Sequence, residues 1–237
     1  MPDSIEKRIA KLDWASIETD LDAAGYALTG PLLAPLECID FIRSYEISEL
    51  FRNRIDMSRH NFGRGEYRYF AYPLPDIVQA LRTGLYPPLA RIANRWRSLL
   101  RIHNDYPNNH ETYLATCHGA GQSRPTPLLL KYGPEDYNCL HRDLYGEIVF
   151  PLQVAFLLDA PDSDFTGGEF VLTEQRPRMQ SRVEVVPLAR GEGVIFPVDE
   201  RPVEGTRGFY RARMRHGVSR VRTGQRHTLG IIFHDAA

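Results

Sequence analysis

Three cysteines are all that 237 residues contain, and Cys38, Cys117 and Cys139 show no paired spacing. An odd, unpaired set excludes a disulfide framework and speaks for a reducing compartment. Cys139-x-His141 has the spacing of a zinc half-site, but no second cysteine pair accompanies it, so Cys139 reads as an ordinary buried thiol. Long apolar runs are missing too: nothing approaches the roughly 20 residues that cross a bilayer. Residues 1–20 are polar and charged, without a secretory pattern. The expectation is a soluble, cytoplasmic protein with no membrane partner. The net charge of −1 gives no global attraction to nucleic acid or lipid. Internal repeats and low-complexity linkers are absent. Lysine is absent from the stretch Arg176 to Arg226, where twelve arginines stand against five acidic residues. Arginine grips carboxylates and phosphates through a planar fork that lysine lacks. That stretch is either a solvated face with internal salt bridges or a surface for an anionic substrate or nucleic acid.

What is present is globular composition, 43% hydrophobic and 25% charged. A chain of this length buries roughly 70–75% of its extended surface, enough for one large domain or a barrel with a helical extension. Residues 4–23 carry Ile5, Ile9, Leu12, Ile17 and Leu21 near helical period, with Gly25 as a stop. A turn at Thr29-Gly30-Pro31 leads to a second helical stretch from Pro35 with Leu36, Ile39, Ile42 and Leu50. Residues 57–75, rich in glycine and aromatics, read as a short hairpin or packed loop. Pro75-Asp76 opens a third helix with Val78, Leu81, Leu85, Leu89, Ile92, Trp96 and Leu99, and residues 107–118 a short fourth. The pattern then changes to short apolar runs between Gly, Pro and Asp turns: 127–132, 148–158, 169–172, 183–186, 193–196, 213–218 and 228–233. Many short strands so punctuated mean a sandwich, barrel or jelly roll. The reading is α+β: a helical N-terminal region over 1–120 packed on a β-core over 121–237, the two forming one cooperative unit.

The chemistry gathers at His141-Arg142-Asp143, which ends the stretch that begins at Lys131. An imidazole and a carboxylate two positions apart can turn toward one metal ion, and His216 offers a third ligand. Two histidines and one carboxylate on one face of a metal, with the other face open, suit ferrous iron and oxygen chemistry. His227 and His234 compete for the third place. His227 adjoins Arg226, so on a strand it points to the opposite face from that arginine; His216 is retained. His141-Arg142-Asp143-Leu144 also opens a kinase catalytic loop, but Ile148 stands where that motif needs Asn, and no kinase Gly-rich loop or Asp-Phe-Gly accompanies it. The sequence has no G-x-x-x-x-G-K, G-x-S-x-G or H-E-x-x-H.

Over residues 126–234 the chain resembles the Fe(II)/2-oxoglutarate-dependent dioxygenases. Four pieces in order carry the likeness: Lys131-Tyr132-Gly133-Pro134; His141-x-Asp143; Thr166-Gly167-Gly168-Glu169-Phe170; and His216-x-Val218-x-x-Val221-x-x-Gly224-x-Arg226. The resemblance implies a double-stranded β-helix, or jelly roll, with iron on His141, Asp143 and His216. It implies O2 and 2-oxoglutarate as co-substrates, the far carboxylate of 2-oxoglutarate on Arg226, and a hydrogen bond to it from Tyr132, with Tyr137 as a second candidate. The reaction so implied couples co-substrate decarboxylation to substrate hydroxylation.

Other stretches, Cys117-His118-x-Ala120-Gly121-Gln122, Arg124-Pro125-Thr126-Pro127, Tyr137-Asn138 and Gln175 to Arg182, are similar to a family of bacterial oxygenases associated with oxidative demethylation of damaged DNA. AlkB-like enzymes carry a second arginine six residues after the co-substrate arginine; Ile232 stands there in this chain, and the metal half is more similar to prolyl-hydroxylase-like members. Repair of an alkylated base therefore competes with hydroxylation of a protein or small-molecule carbon, and with a non-catalytic jelly-roll protein that binds metal or ligand. Arg176, Arg178 and Arg182, expected at the barrel mouth, would track phosphates or clamp carboxylates. A target base would be flipped into the pocket, with an aromatic from residues 62–72 stacked on it.

Overall fold

The computed structural model describes residues 3–237. The first half of the chain contains α1 (Ile5–Ala10), α2 (Trp14–Ala24), β1 (Ala27–Pro31), α3 (Pro35–Ser44), β2 (Phe51–Asp56), β3 (Gly63–Arg64), β4 (Glu66–Phe70), α4 (Asp76–Leu99) and α5 (His110–Gly119). The second half is all strand: β5 (Leu128–Tyr132), β6 (Tyr137–His141), β7 (Leu152–Leu157), β8 (Phe165–Gly167), β9 (Phe170–Gln175) and β10 (Arg182–Val186). It ends with β11 (Glu192–Pro197), β12 (Glu200–Gly205), β13 (Gly208–Val218), β14 (Val221–Gly224) and β15 (Arg226–Ile231).

Two antiparallel sheets form the core. The larger has the order β1-β11-β7-β15-β5-β4-β2, and the smaller β10-β9-β13-β6-β3, with β12 added on β13. The period-2 alternation of strands decides what each face does. On β15 and just beyond it, Leu229, Ile231 and Phe233 point to the helices and join one apolar cluster with Leu81, Leu85, Leu89 and Trp96. Their neighbours Thr228, Gly230 and Ile232 point the other way and line a cavity between the sheets. β5 repeats this, with Leu129 toward the helices and Leu128, Leu130 and Tyr132 toward the cavity. The helical layer thus takes one face of the large sheet, and the site occupies the other. Arg82 of α4 locks the layers: it donates through Nε to Ile232 O at 2.9 Å, through Nη1 to Tyr72 OH at 2.9 Å, and through Nη2 to Asp235 Oδ1 at 2.7 Å. Both ions are fully buried, and their several hydrogen bonds offset the cost of desolvation.

The jelly-roll expectation holds, and the N-terminal reading changes. The first half is not only helical: β1, β2 and β4 belong to the large sheet and β3 to the small one. Thr29-Gly30-Pro31 is not a turn but the end of edge strand β1, whose Ala27 and Leu28 pair with Ile195 and Val194. A Gly-Pro strand has poor intrinsic propensity; an edge position and a ready partner override it. The stretch over 4–23 is two helices, broken where the Asp13 side chain caps α2 by accepting from Ser16 N at 3.1 Å. The helical stretch from Pro35 is α3, which ends at Ser44 and buries Cys38 and Phe41, leaving Leu36 exposed. Cys38 and Cys117 are buried free thiols, but Cys139 is an exposed one, on β6 in the small sheet.

Candidate metal centre

Strand pairing assembles the metal-ligand candidates. In the register of β13 against β6, His216 sits opposite His141, and Asp143 follows where β6 gives way to a loop. The ligand atoms of His141, Asp143 and His216 all lie within 4.8 Å of one another. His141 Nε2 is 3.4 Å from Asp143 Oδ1, and His216 Nε2 is 3.2 Å from Asp143 Oδ2. Such spacings match the roughly 3 Å edge of a coordination shell with bonds of about 2.1 Å. Gly217 allows this approach, since a Cβ there would stand 2.7 Å from Asn138 O.

The surrounding groups set the protonation states a divalent cation requires. His141 Nδ1 donates to Cys139 O at 2.8 Å, which leaves Nε2 as the ligand atom. His216 is held by rings instead, with Phe196 at 4.7 Å and Phe170 at 6.1 Å between centroids. Burial, reinforced by His141, lowers the pKa of His216 and keeps it neutral. Burial opposes the charge of Asp143, but His216 and His141 outweigh it and hold the carboxyl well below the ordinary range. Tyr145 OH donates to Asp143 Oδ1 at 2.6 Å, and Gln153 Nε2 to Oδ2 at 2.8 Å. Burial lowers the pKa of His141, but Asp143 and the Cys139 carbonyl outweigh it and raise it, placing there a proton that a bound cation displaces. Two imidazoles and one ionised carboxylate, each turned to the same point, fit a facially bound iron.

The cavity over this cluster has a volume of about 190 Å3, with walls of Tyr67, Tyr132, Phe170, Phe196, Val218 and Ile232 among others. Tyr132 is fully buried, and its OH accepts from Asn138 Nδ2 at 3.4 Å. Arg226 lies opposite Tyr132 in the β15–β5 register, with its guanidinium carbon 5.7 Å from the Tyr132 ring centroid and 5.9 Å from that of Phe165. It is not itself among the lining residues but donates through Nη1 to Oγ1 of Thr228, which is, at 2.5 Å. Its side chain is buried, its Nε has no partner, and burial lowers its pKa. No carboxylate pairs with it among the described residues. A buried cation left this way is costly unless an anion arrives. Gly168 permits this packing: with φ +64°, a Cβ there would stand 2.9 Å from both Arg226 Cδ and Val221 Cγ2.

Other sequence candidates lie elsewhere. His227 points away from the cavity to Asp159, 3.1 Å from Nδ1 to Oδ2, as strand alternation requires. His234 is buried, with Nδ1 accepting from Phe150 N at 3.3 Å. Tyr137 is exposed on β6 and is not among the cavity-lining residues; its strand neighbour Asn138 is. Arg176, Arg178 and Arg182 do not line the cavity either. Arg176 Nε bonds Glu174 Oε1 at 2.6 Å, and Arg182 approaches Glu184 at 3.9 Å, so two of the three answer acids on their own hairpin. Arg142 is the arginine in the cavity wall, bonded to Asp199 at 2.7 Å. Gln153 and Tyr145 went unread in the sequence. The signal for Gln153 was its place as the lone polar residue in the apolar run from Phe150 to Leu158; Tyr145 offered only its nearness to Asp143.

Comparison with known proteins agrees with this geometry. Two uncharacterised proteins of Mycobacterium tuberculosis strains are each 49% identical over 168 residues, covering 71% of this chain and 72% of theirs. Among solved structures, a 2-oxoglutarate-Fe(II) oxygenase family oxidoreductase of Burkholderia pseudomallei gives a TM-score of 0.55 at 15% identity, covering 96% of this chain and 94% of that one. A Trichoplax adhaerens prolyl hydroxylase in complex with a hypoxia-inducible-factor peptide gives 0.54 at 14%, covering 98% and 92%. A Pseudomonas putida prolyl-4-hydroxylase gives 0.51 at 11%, covering 94% and 99%. At such identities the structural likeness establishes the fold. The family described as "Oxygenase, catalysing oxidative methylation of damaged DNA" matches residues 65–236. The chain belongs to that oxygenase family.

Proposed function

We propose that this oxygenase depends on Fe(II) and 2-oxoglutarate and demethylates N-alkylated bases of nucleic acid. The observation that carries the reading is the convergence of His141, Asp143 and His216 at one point inside an apolar cavity. Those three residues would hold the iron, which when bound supplies oxygen activation coupled to decarboxylation of 2-oxoglutarate to succinate and CO2. The chain does the rest. Arg226, the buried cation without a counter-ion, pairs with the far carboxylate of 2-oxoglutarate in concert with Thr228. Tyr132 adds a hydroxyl on the same wall. Phe170, Phe196 and Ile232 exclude water, so that the reacting groups meet in a medium of low dielectric.

The family description supports nucleic acid as the substrate class. Oxidation removes a methyl group: one oxygen atom of O2 is inserted into a C–H bond of the N-methyl group, and the other enters succinate. The resulting N–CH2OH group releases formaldehyde, and its hydroxyl proton passes to the ring nitrogen. Among the described residues no helix is long and apolar enough to cross a membrane, and three free thiols suit a reducing, cytoplasmic setting.

The test is formaldehyde release from single-stranded DNA containing one N-methylated base, with iron, 2-oxoglutarate and air. Stoichiometric succinate and formaldehyde are expected. Succinate formed at the same slow rate with and without that DNA, and no formaldehyde, would remove the nucleic-acid substrate while leaving the oxygenase.

A further inference from the structure

One feature of the cavity is not used by the metal or the co-substrate. Phe62 lines the cavity beside His141 and Arg142, yet it is 48% exposed. The phenylalanine thus stands at the edge of the apolar cavity with about half of its surface open to solvent. One face of its ring is already taken: the His60 ring stacks on it, centroids 5.3 Å apart and planes 21° from parallel.

The backbone fixes this pair rather than leaving it to a mobile tip. Phe62 N donates to Met57 O at 3.1 Å, and Phe62 O accepts from Cys139 N at 2.8 Å. Asn61, at φ 58°, and Gly63, at φ 135°, turn the chain around the phenylalanine. A Cβ on Gly63 would stand 2.3 Å from Tyr137 O, so the segment lies flush against β6. β3 then pairs Gly63 with Asn138 and Arg64 with Tyr137. The stacked pair is therefore carried by the same sheet that holds His141 and His216.

Charge and aromatic rings alternate along this edge. Arg59 and Arg64 are exposed on either side of His60 and Phe62, with Arg59 only loosely paired to Asp56 at 3.5 Å. Tyr137, 38% exposed, lies across from Arg64. Rings interleaved with cations are what a single strand of nucleic acid requires: bases stack on the rings while phosphates meet the cations. A paired base has both faces covered and cannot reach such a ring.

We propose that Phe62, backed by His60 and flanked by Arg64 and Tyr137, is a stacking platform for an unpaired nucleobase at the entrance to the metal cavity. The proposal rests on the nucleic-acid reading above and adds to it the form of the substrate, a single-stranded or extruded base. Phe62 selects by stacking; Arg64 contacts the adjoining phosphate.

Binding of an end-labelled, short single-stranded DNA with one N-methylated base tests it, by fluorescence anisotropy on anaerobic protein loaded with Fe(II) and 2-oxoglutarate. Phe62→Ala should weaken binding by roughly tenfold to a hundredfold, and Phe62→Trp should keep it. Arg64→Ala should reduce the salt slope by about 0.7, the loss of one single-strand phosphate contact. The fully paired duplex should bind more weakly than the single strand. Phe62→Ala protein binding as tightly as wild type would overturn the platform and leave the nucleic-acid reading standing. Wild type that ignores DNA but binds a proline-containing peptide would overturn both, with the visible iron–2-oxoglutarate band still reporting the oxygenase site by itself.

Discussion

Arg226 is the residue whose environment says most about the co-substrate. It was legible in the sequence through its place ten positions after His216, on the returning strand. Its setting was not legible: the guanidinium lies near the Tyr132 ring and bonds Thr228, buried and, among the described residues, without a carboxylate. Arg226→Ala should raise the 2-oxoglutarate concentration needed for half-maximal turnover roughly tenfold to a hundredfold, the value of a charge-assisted contact. Arg226→Lys should restore little, because an ammonium cannot reproduce the planar fork. Steady-state titration of 2-oxoglutarate reads this directly, and an unchanged requirement in the alanine variant would remove Arg226 from the co-substrate site. The arginines of the 176–182 segment show the opposite case. Composition marked them, but sequence cannot tell an arginine aimed at a ligand from one answering Glu174 or Glu184 two residues along the chain.

At the scale of elements, most of the strands that carry the site were readable, with β6, which carries His141, the exception. β5, β7, β13 and β15 show apolar alternation or dense apolar runs, because one or both of their faces are buried. β6 and β12 were missed because Tyr-Asn-Cys-Leu-His and Glu-Arg-Pro-Val-Glu-Gly have neither pattern. They are strands because β13 pairs with both. Of the N-terminal strands, β4 lies in the stretch read as a hairpin or packed loop, whereas β1 and β2 failed to show: β1 takes its structure from β11, far away in sequence, and β2 from β4. The turn before β9 was visible as Thr166-Gly167-Gly168, and its purpose emerges from packing. Gly168→Ala places a methyl group 2.9 Å from Arg226 Cδ in a backbone conformation hostile to L side chains. It should lower the unfolding free energy by about 1–3 kcal/mol and raise the 2-oxoglutarate requirement as well. Denaturant unfolding and the same titration measure the two effects, and a loss of stability alone would mean that the turn does not govern Arg226.

The whole molecule reads as one cooperative unit, we infer, because helices from the first half and strands from the second share a single apolar cluster. Two buried histidines at that junction make its stability depend on acidity. Burial, with Arg82 nearby, pushes both His110 and His234 down to about 4. Between the ordinary histidine value of 6.5 and about 4, the unfolded chain binds protons that the folded chain refuses. Stability therefore falls as pH drops through that window, by roughly 2 kcal/mol per histidine between pH 7 and pH 5. Urea midpoints across this range should fall steadily, and His110→Gln should flatten the fall; an equally steep profile in that variant would contradict the assignment to His110. The central claim concerns the metal centre, and anaerobic spectroscopy meets it most directly: Fe(II) and then 2-oxoglutarate are added to metal-free protein while the visible charge-transfer band is followed. The account predicts a band in wild type that is lost in His216→Ala. No band in wild type, or an equal band in both proteins, would contradict it.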